Sequence, residues 1–138
     1  MKKILFLGGA SHQTSILNHA KKNYFIILCD NDSHCIGKKY ADKFYKISIK
    51  NKNKILEISR KEKINAIISY ASEIGALTQC YVANKLKLPS NNYNSIKTLH
   101  YKNKFRNFLN KNNFFVPPFK IFSNYNNFKS YIKNKNKY

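Results

Sequence analysis

The sequence predicts an α/β protein: a Rossmann-like three-layer sandwich with a mainly parallel sheet, followed by a helical and linker segment. Short, continuously apolar runs alternate with segments that carry apolar residues at helical spacing, a pattern typical of a parallel sheet covered on both faces. The 138 residues suit one domain with a sizeable core. Apolar residues make up 43% of the chain, which is enough to build that core.

Residues 1–92 contain the predicted sheet. The apolar run 3–7 ends at Gly8 and Gly9, which predicts a buried strand that leads into a tight turn. Similar runs predict three more strands, and the amphipathic segments between the runs predict helices. The predicted strands are 3–7, 24–29, 44–49 and 64–70, and the predicted helices are 11–22, 51–63 and 74–86.

Residues 93–138 are predicted to form a helical extension and linker. Apolar residues recur at roughly helical spacing over 93–112, and the prolines at 117 and 118 end that helix. A short strand at 119–122 and a last helix at 124–133 are expected to follow. Residues 133–138 are expected to be a tail, or a chain cut before its next element.

The charge is strongly basic but does not by itself indicate nucleic acid. The chain holds 26 Lys and Arg against 6 Asp and Glu, giving +20. Only two of the basic residues are arginine; the others are lysine, and the chain also holds 20 asparagines. Lysine and asparagine both have A/T-rich codons, so a biased genome explains the surplus of lysine. Nucleic-acid sites usually enrich arginine instead. Nucleic acid is therefore the third hypothesis.

Several other classes of protein are excluded or disfavoured. No apolar run is long enough to span a membrane. The three cysteines, Cys29, Cys35 and Cys80, form no C-x-x-C pair, which argues against a disulfide scaffold or a zinc site and favours the cytoplasm. The four histidines show no metal-binding spacing. The sequence predicts neither a catalytic residue nor a metal ligand.

The first candidate site lies where the first two strands end. In parallel sheets, ligands bind beyond the carboxyl ends of the strands, where Gly8 and Gly9 let the backbone approach a ligand. Asp30 ends the second strand about 20 residues later, where a dinucleotide fold has its ribose-binding acid. The third glycine of that fingerprint is missing. Two interpretations stay open: a ligand site, or glycines that serve a turn beside an aspartate that caps a loop.

The second candidate site follows the fourth strand, at the same edge of the sheet. Glu73 opens a helix behind Ser72 and is the last acidic residue of the chain. It serves either the helix dipole, with Ser72 as N-cap, or a hydrogen bond from a substrate hydroxyl or amine.

Taken in order, the segments of this chain resemble the preATP-grasp domain of ATP-grasp ligases, in the version found in carbamoyl-phosphate synthase large-subunit-like proteins. The resemblance covers nearly the whole chain. Its segments are residues 4–9 with Gln13, 29–30, 40–45, 67–69 with Ser72 and Glu73, 86–90, 104–106 and 117–119.

The resemblance implies an activity for the complete enzyme. Such enzymes use ATP and Mg²⁺ to activate a carboxylate as an acyl phosphate, which an amine then attacks. Lys104 matches the position that approaches the nucleotide phosphates, although Asn103 stands where the family has an acid. The residues that match the substrate-binding loops are Gly8, Gly9, Gln13, Asp30 and Glu73.

The resemblance also implies that this chain is a truncated piece, inactive alone. It ends at Tyr138, where the family begins an ATP-grasp domain, and residues 74–138 hold no acid for magnesium. ATP and Mg²⁺ are thus expected in the full-length enzyme, with no cofactor bound tightly to this chain. Carboxylate and amine substrates are expected to engage it through the missing domain, and a homodimer stays open. The alternative is a stand-alone dinucleotide-binding regulatory or redox module.

Overall fold

The computed structural model describes residues 1–135, which fall into two units: residues 1–100, and a helical unit that begins at Tyr101. The strands are β1 (Lys3–Leu7), β2 (Phe25–Asp30), β3 (Lys43–Lys46) and β4 (Ala66–Ile68). The helices are α1 (Thr14–Lys21), α2 (Lys52–Glu62), α3 (Glu73–Leu86), α4 (Tyr93–His100), α5 (Lys102–Lys111) and α6 (Tyr125–Lys135), with 3₁₀ helices at Ser11–Gln13 and Ile36–Tyr40.

The four strands form one parallel sheet in the order β3-β2-β1-β4. In the centre of this sheet, Ile4 is in register with Ile26 on one side and Ala66 on the other. Because all strands run the same way, their carboxyl ends and the loops that follow them share one edge. The predicted α/β class and parallel sheet are confirmed.

Alternate residues of the strands build a separate core on each face of the sheet. Leu5 and Leu7 pack among buried residues of α2 and α3. Ile4 and Phe6 pack on the opposite face, against α1 and Tyr40. Each large aliphatic side chain that is fully buried contributes roughly 1.5–3 kcal/mol to folding. The two-sided burial confirms the predicted three-layer sandwich.

Two strands are shorter than the sequence predicts. β3 ends at Lys46, and the following Ile47 and Ile49 still pack on the core from outside the strand. Likewise Ile64 is buried although it precedes β4. An apolar side chain can reach the core without a ladder hydrogen bond at its own residue. The lengths of β3 and β4 were therefore overestimated from the apolar runs.

The helix predicted over 93–112 is interrupted at Tyr101, whose backbone is extended with φ −89° and ψ 112°. The first piece, α4, packs on α3, with the rings of Tyr81 and Tyr93 edge to face at 5.6 Å. Contacts thus group α4 with the sheet, whereas the sequence analysis placed residues 93–138 in an extension.

The second unit consists of α5 and α6 joined by irregular chain. The strand predicted at 119–122 was wrong: these residues have no regular secondary structure. Pro117 and Pro118 just before it lack backbone N–H groups, and no described strand pairs with the segment. The last helix, predicted at 124–133, is present as α6. Residues 136–138 of the predicted tail lie outside the described residues.

Within residues 1–135, no helix combines the length and apolarity that crossing a bilayer needs.

Candidate substrate site at the carboxyl edge of the sheet

The loop after β1 begins with a backbone turn that only glycine adopts readily. Gly8 has φ +97°, and its N–H donates to the carbonyl of Cys29 at 2.9 Å. The chain thus leaves β1 while still bonded to the end of β2. This places the following residues, Gly9 and Ala10, above the sheet edge. The turn that the sequence predicted at the glycines is present.

Gly9 lies against a second glycine, which the sequence analysis did not single out. The N–H of Gly37 donates to the Gly9 carbonyl at 2.8 Å. A Cβ built on Gly37 would lie 2.7 Å from the Gly9 Cα, so the two backbones touch. A signal was available, because Gly37 is one of only four glycines and follows the end of β2 closely.

Asp30 holds both loops at this edge through its carboxylate. Oδ2 accepts from the N–H of Gly9 at 2.7 Å, and Oδ1 accepts from the N–H of Asp32 at 2.9 Å. Asp30 therefore caps the loop, as one of the two interpretations of the sequence predicted. Each oxygen keeps a second lone pair for a ligand. Ligand binding by Gly8, Gly9 and Asp30 stays a prediction.

Asp30 also lines an open cleft of about 300 Å³ beside the N-terminus of the 3₁₀ helix Ser11–Gln13. Asp32 and His34 line it as well, and none of its lining residues is a lysine or arginine, although the chain carries +20. Carboxylate oxygens accept hydrogen bonds, so this cleft suits a ligand that presents amino or hydroxyl groups.

Cys35 completes the wall of the cleft but is not an activated nucleophile. Burial, together with the negative charge of Asp30, raises the pKa of the Cys35 thiol. A thiol with a raised pKa is protonated at neutral pH and reacts slowly. The cleft roles of Asp32, His34 and Cys35 were not predicted from the sequence. Their one signal is position: they follow directly after the end of the buried strand β2.

Gln13 lies between this cleft and the loop after β4. Its side chain is buried, with 4% exposure. The Oε1 atom accepts from the N–H of Ala10 at 3.0 Å, and Nε2 donates to the Tyr70 carbonyl at 2.6 Å. The structure thus brings Gln13 to the predicted edge, with its amide pointed at backbone groups.

Glu73 is the first residue of α3 and is exposed. Ser72 caps the helix, its Oγ accepting from the N–H of Gly75 at 3.2 Å. The cap leaves the Glu73 carboxylate facing solvent, at the same sheet edge as Asp30. Its predicted hydrogen bond to a substrate stays a prediction.

Lys104 belongs to the second unit. It is exposed on α5, with Nζ 5.4 Å from the centre of the Tyr101 ring. Its predicted approach to nucleotide phosphates stays a prediction.

Asp30→Asn tests whether the carboxylate of Asp30 holds the two loops together at the cleft. An asparagine offers one acceptor oxygen instead of two, so one backbone N–H, of Gly9 or Asp32, faces an amide NH₂. We expect the free energy of unfolding to fall by about 1–2 kcal/mol. Urea unfolding measures it, with Asn31→Ala, a change at the exposed neighbour, as the control. Equal stability of the two variants would show that the carboxylate does not hold the loops.

The comparison with solved structures supports the fold. No protein-family profile matches the sequence, and no curated protein is significantly similar to it. Among solved structures, phosphoribosylglycinamide synthetase from Anaerococcus prevotii matches 96% of this chain with a TM-score of 0.78 and 18% identity. N5-carboxyaminoimidazole synthetase from Staphylococcus aureus, complexed with ADP, matches 96% with a TM-score of 0.71 and 18% identity. L-amino acid ligase from Bacillus licheniformis matches 88% with 0.73 and 15%.

All three are ATP-grasp ligases. This chain spans only about a third of their length, with 34%, 35% and 33% covered. Identities this low describe the fold. The Rossmann-like preATP-grasp fold that the sequence predicted is confirmed, and the chain has the fold of the N-terminal part of ATP-grasp ligases.

Proposed function

We propose that this chain is the N-terminal substrate-binding part of an ATP-dependent carboxylate–amine ligase, similar to carbamoyl-phosphate synthase, and that it is inactive alone. The observation that carries the proposal is the match to phosphoribosylglycinamide synthetase, which takes in 96% of this chain and 34% of that one. A fold that recurs as one third of several ligases supports the same role here. The more specific kinship rests on the sequence resemblance.

The second unit supports the proposal independently. None of residues 101–134 is buried, and Phe108, Phe114 and Phe115 expose 48%, 60% and 92% of their surface. A unit without buried side chains gains little hydrophobic stabilisation by itself. Its apolar side chains are suited to packing against a further domain of the same enzyme.

Among the described residues there is a candidate for binding the phosphates of ATP but no candidate for binding Mg²⁺. Lys104 is an exposed point charge of the kind that binds phosphate. Within residues 1–135, no cluster of His, Cys, Asp and Glu could hold a metal ion. Under the proposal, the carboxylates for Mg²⁺ therefore belong to the ATP-grasp domain. The ATP and its metal would be bound in the full-length enzyme.

The cleft at the sheet edge supports an amine or hydroxyl-bearing acceptor. It offers the carboxylates of Asp30 and Asp32, and Glu73 follows the neighbouring loop at the same edge. The three free cysteines are compatible with the reducing cytoplasm, where we place the enzyme.

Ligand titration separates this proposal from its alternatives. By calorimetry at low salt, we expect the chain alone to bind neither NADH nor single-stranded RNA tightly, and Mg²⁺–ATP no better than about millimolar. The loop after β1 lacks the third glycine of the dinucleotide-binding fingerprint. Micromolar NADH binding would instead establish the dinucleotide module. Salt-sensitive RNA binding would establish the nucleic-acid hypothesis.

The parent gene provides the second test. Sequencing beyond codon 138 should reveal a frame that continues into an ATP-grasp domain. In that longer enzyme, Lys104→Ala should weaken the use of ATP, and Glu73→Gln should impair the use of the acceptor. We expect losses of about tenfold or more in kcat/KM, since each removes a charge-assisted contact. Wild-type kinetics in both variants would contradict the site assignment.

A further inference from the structure

We propose that Gln13 is a positioning residue that ties the loop after β4 to the loop after β1, so that Glu73 and Asp30 are held as one site. The sequence resemblance placed Gln13 among residues that bind substrate. Its contacts instead point to a tie between the two loops. The importance of this tie for a substrate rests on the proposed function; the tie itself does not.

The side chain of Gln13 uses both ends of its amide on backbone groups. Oε1 accepts from Ala10, three residues earlier, while Nε2 donates to Tyr70, 57 residues later in the chain. At 4% exposure the amide has little access to a ligand. A buried amide that is hydrogen-bonded at both ends fixes the separation of the two backbone segments that it joins.

Gly8 provides the space that this side chain occupies. A Cβ at Gly8 would lie 2.6 Å from Oε1 and 3.0 Å from Nε2 of Gln13. Any other residue at this position would displace the amide from Tyr70. The glycine predicted for ligand approach therefore serves the tie as well.

The loop after β4 needs such support because its backbone is strained. Ala71 has φ +50°, in the left-handed region that is unfavourable for a residue with a Cβ atom. Two hydrogen bonds to the residues just before Ala71 hold the backbone there. Gln13 binds the carbonyl of Tyr70, and Oε1 of Gln79 accepts from the N–H of Ser69 at 2.7 Å. Glu73 lies two residues beyond Ala71, so its direction depends on this conformation.

Gln13→Glu tests the tie, because only a protonated carboxylic acid can replace the amide. An ionised glutamate still accepts from Ala10 but repels the Tyr70 carbonyl. A protonated glutamic acid accepts and donates as the amide does. Burial beside a carbonyl raises the pKa of such an acid, so this variant should recover as the pH falls from 7 to 4.

Two measurements follow the recovery on the full 138-residue chain. At pH 7 we expect the Tm of Gln13→Glu to be roughly 5–10 °C below wild type, and the amide NMR signals of Ser72, Glu73 and Gly75 to shift. At pH 4 both differences from wild type should shrink. The ionisable side chains of the surrounding loops, which are His12, Asp30, Cys35 and Glu73, are the same in both proteins, so the comparison at each pH cancels their contribution. Asn18→Asp adds the same charge at an exposed position of α1 and is the control.

Gln13→Met removes both hydrogen bonds without adding charge, and its loop signals should differ from wild type at every pH. If Gln13→Glu fails to fold at pH 7, the loop signals of Gln13→Met decide whether Gln13 ties the two loops. Unshifted signals at residues 72–75 in the folded variants, or a Gln13→Glu defect that does not depend on pH, would overturn the proposal. Neither result bears on whether the chain belongs to a ligase, which the gene and the titrations decide.

Discussion

Replacing Gly37 by alanine is expected to lower the free energy of unfolding by about 2–4 kcal/mol, a large effect for one methyl group. The new Cβ would lie 2.7 Å from the Gly9 Cα and 2.9 Å from the Gly9 carbonyl oxygen. Both are backbone atoms, which cannot rotate away as a side chain does. The third neighbour, Leu17 Cδ1 at 2.8 Å, belongs to a fully buried core residue. Relief therefore requires the loop after β1 to move.

Thermal and urea unfolding measure the loss, with Lys39→Ala as the matched control. Lys39 is exposed on the same 3₁₀ helix, so its truncation to alanine tests the segment without the close contact. We expect the control to change stability by less than about 0.5 kcal/mol. A Gly37→Ala protein as stable as this control would show that the two loops separate at little cost.

The contrast between Gly8 and Gly37 shows what the sequence could predict. Gly8 follows an apolar run directly, so its turn could be inferred from local pattern. Gly37 is glycine because Gly9, 28 residues earlier, occupies the space where a side chain would be. Local sequence carries no information on that contact. It exists only once β1 and β2 have paired.

The candidate site likewise has some features that the sequence could predict and others that it could not. Its edge of the sheet followed from strand order, and Asp30 followed from its place at the end of a strand. The two backbone bonds of Asp30 and the tie from Gln13 to Tyr70 depend on three-dimensional distances of a few ångströms. The strand at 119–122 failed for a related reason. A strand requires a partner, and an apolar pattern alone cannot supply one.

Glu62→Gln is expected to lower the free energy of unfolding by about 1–3 kcal/mol, because it breaks a hydrogen-bonded charge network on the sheet. Glu62 ends α2 with 6% exposure. Its Oε1 accepts from Nζ of Lys43 at 2.6 Å and from the hydroxyl of Tyr45. A second cation, Lys3, has its Nζ 3.8 Å from Oε2. Glutamine keeps the size of the side chain but loses the charge that joins these groups.

An ion pair on the surface of the same helix provides the control. Glu57 accepts from Lys54 at 2.9 Å, with 61% and 58% of the two side chains exposed. Exposed pairs contribute little, so Glu57→Gln should change the free energy of unfolding by less than about 0.5 kcal/mol. Equal effects of the two substitutions would contradict the importance of burial at Glu62.

The network also predicts how this difference depends on pH. The hydrogen bond from Lys43, with that from Tyr45, holds the pKa of Glu62 below its usual value. Its contribution is complete above the ordinary glutamate pKa of about 4.3 and is lost as the pH falls through the lowered value. Glu62 raises the pKa of Lys43 in turn. That contribution is complete below the ordinary lysine pKa of about 10.4 and is lost as the pH rises through the raised value.

Burial, reinforced by the bond to Glu62, raises the pKa of Tyr45, so the phenol that donates this bond persists above the ordinary tyrosine value. The stability of wild type minus that of Glu62→Gln should therefore be largest near neutral pH and shrink toward both extremes. Urea unfolding of both proteins across the pH range measures this difference. A constant difference would mean that the charge of Glu62 does not contribute to stability, whereas a difference that falls at both ends requires the charge of Glu62 and the proton of Lys43.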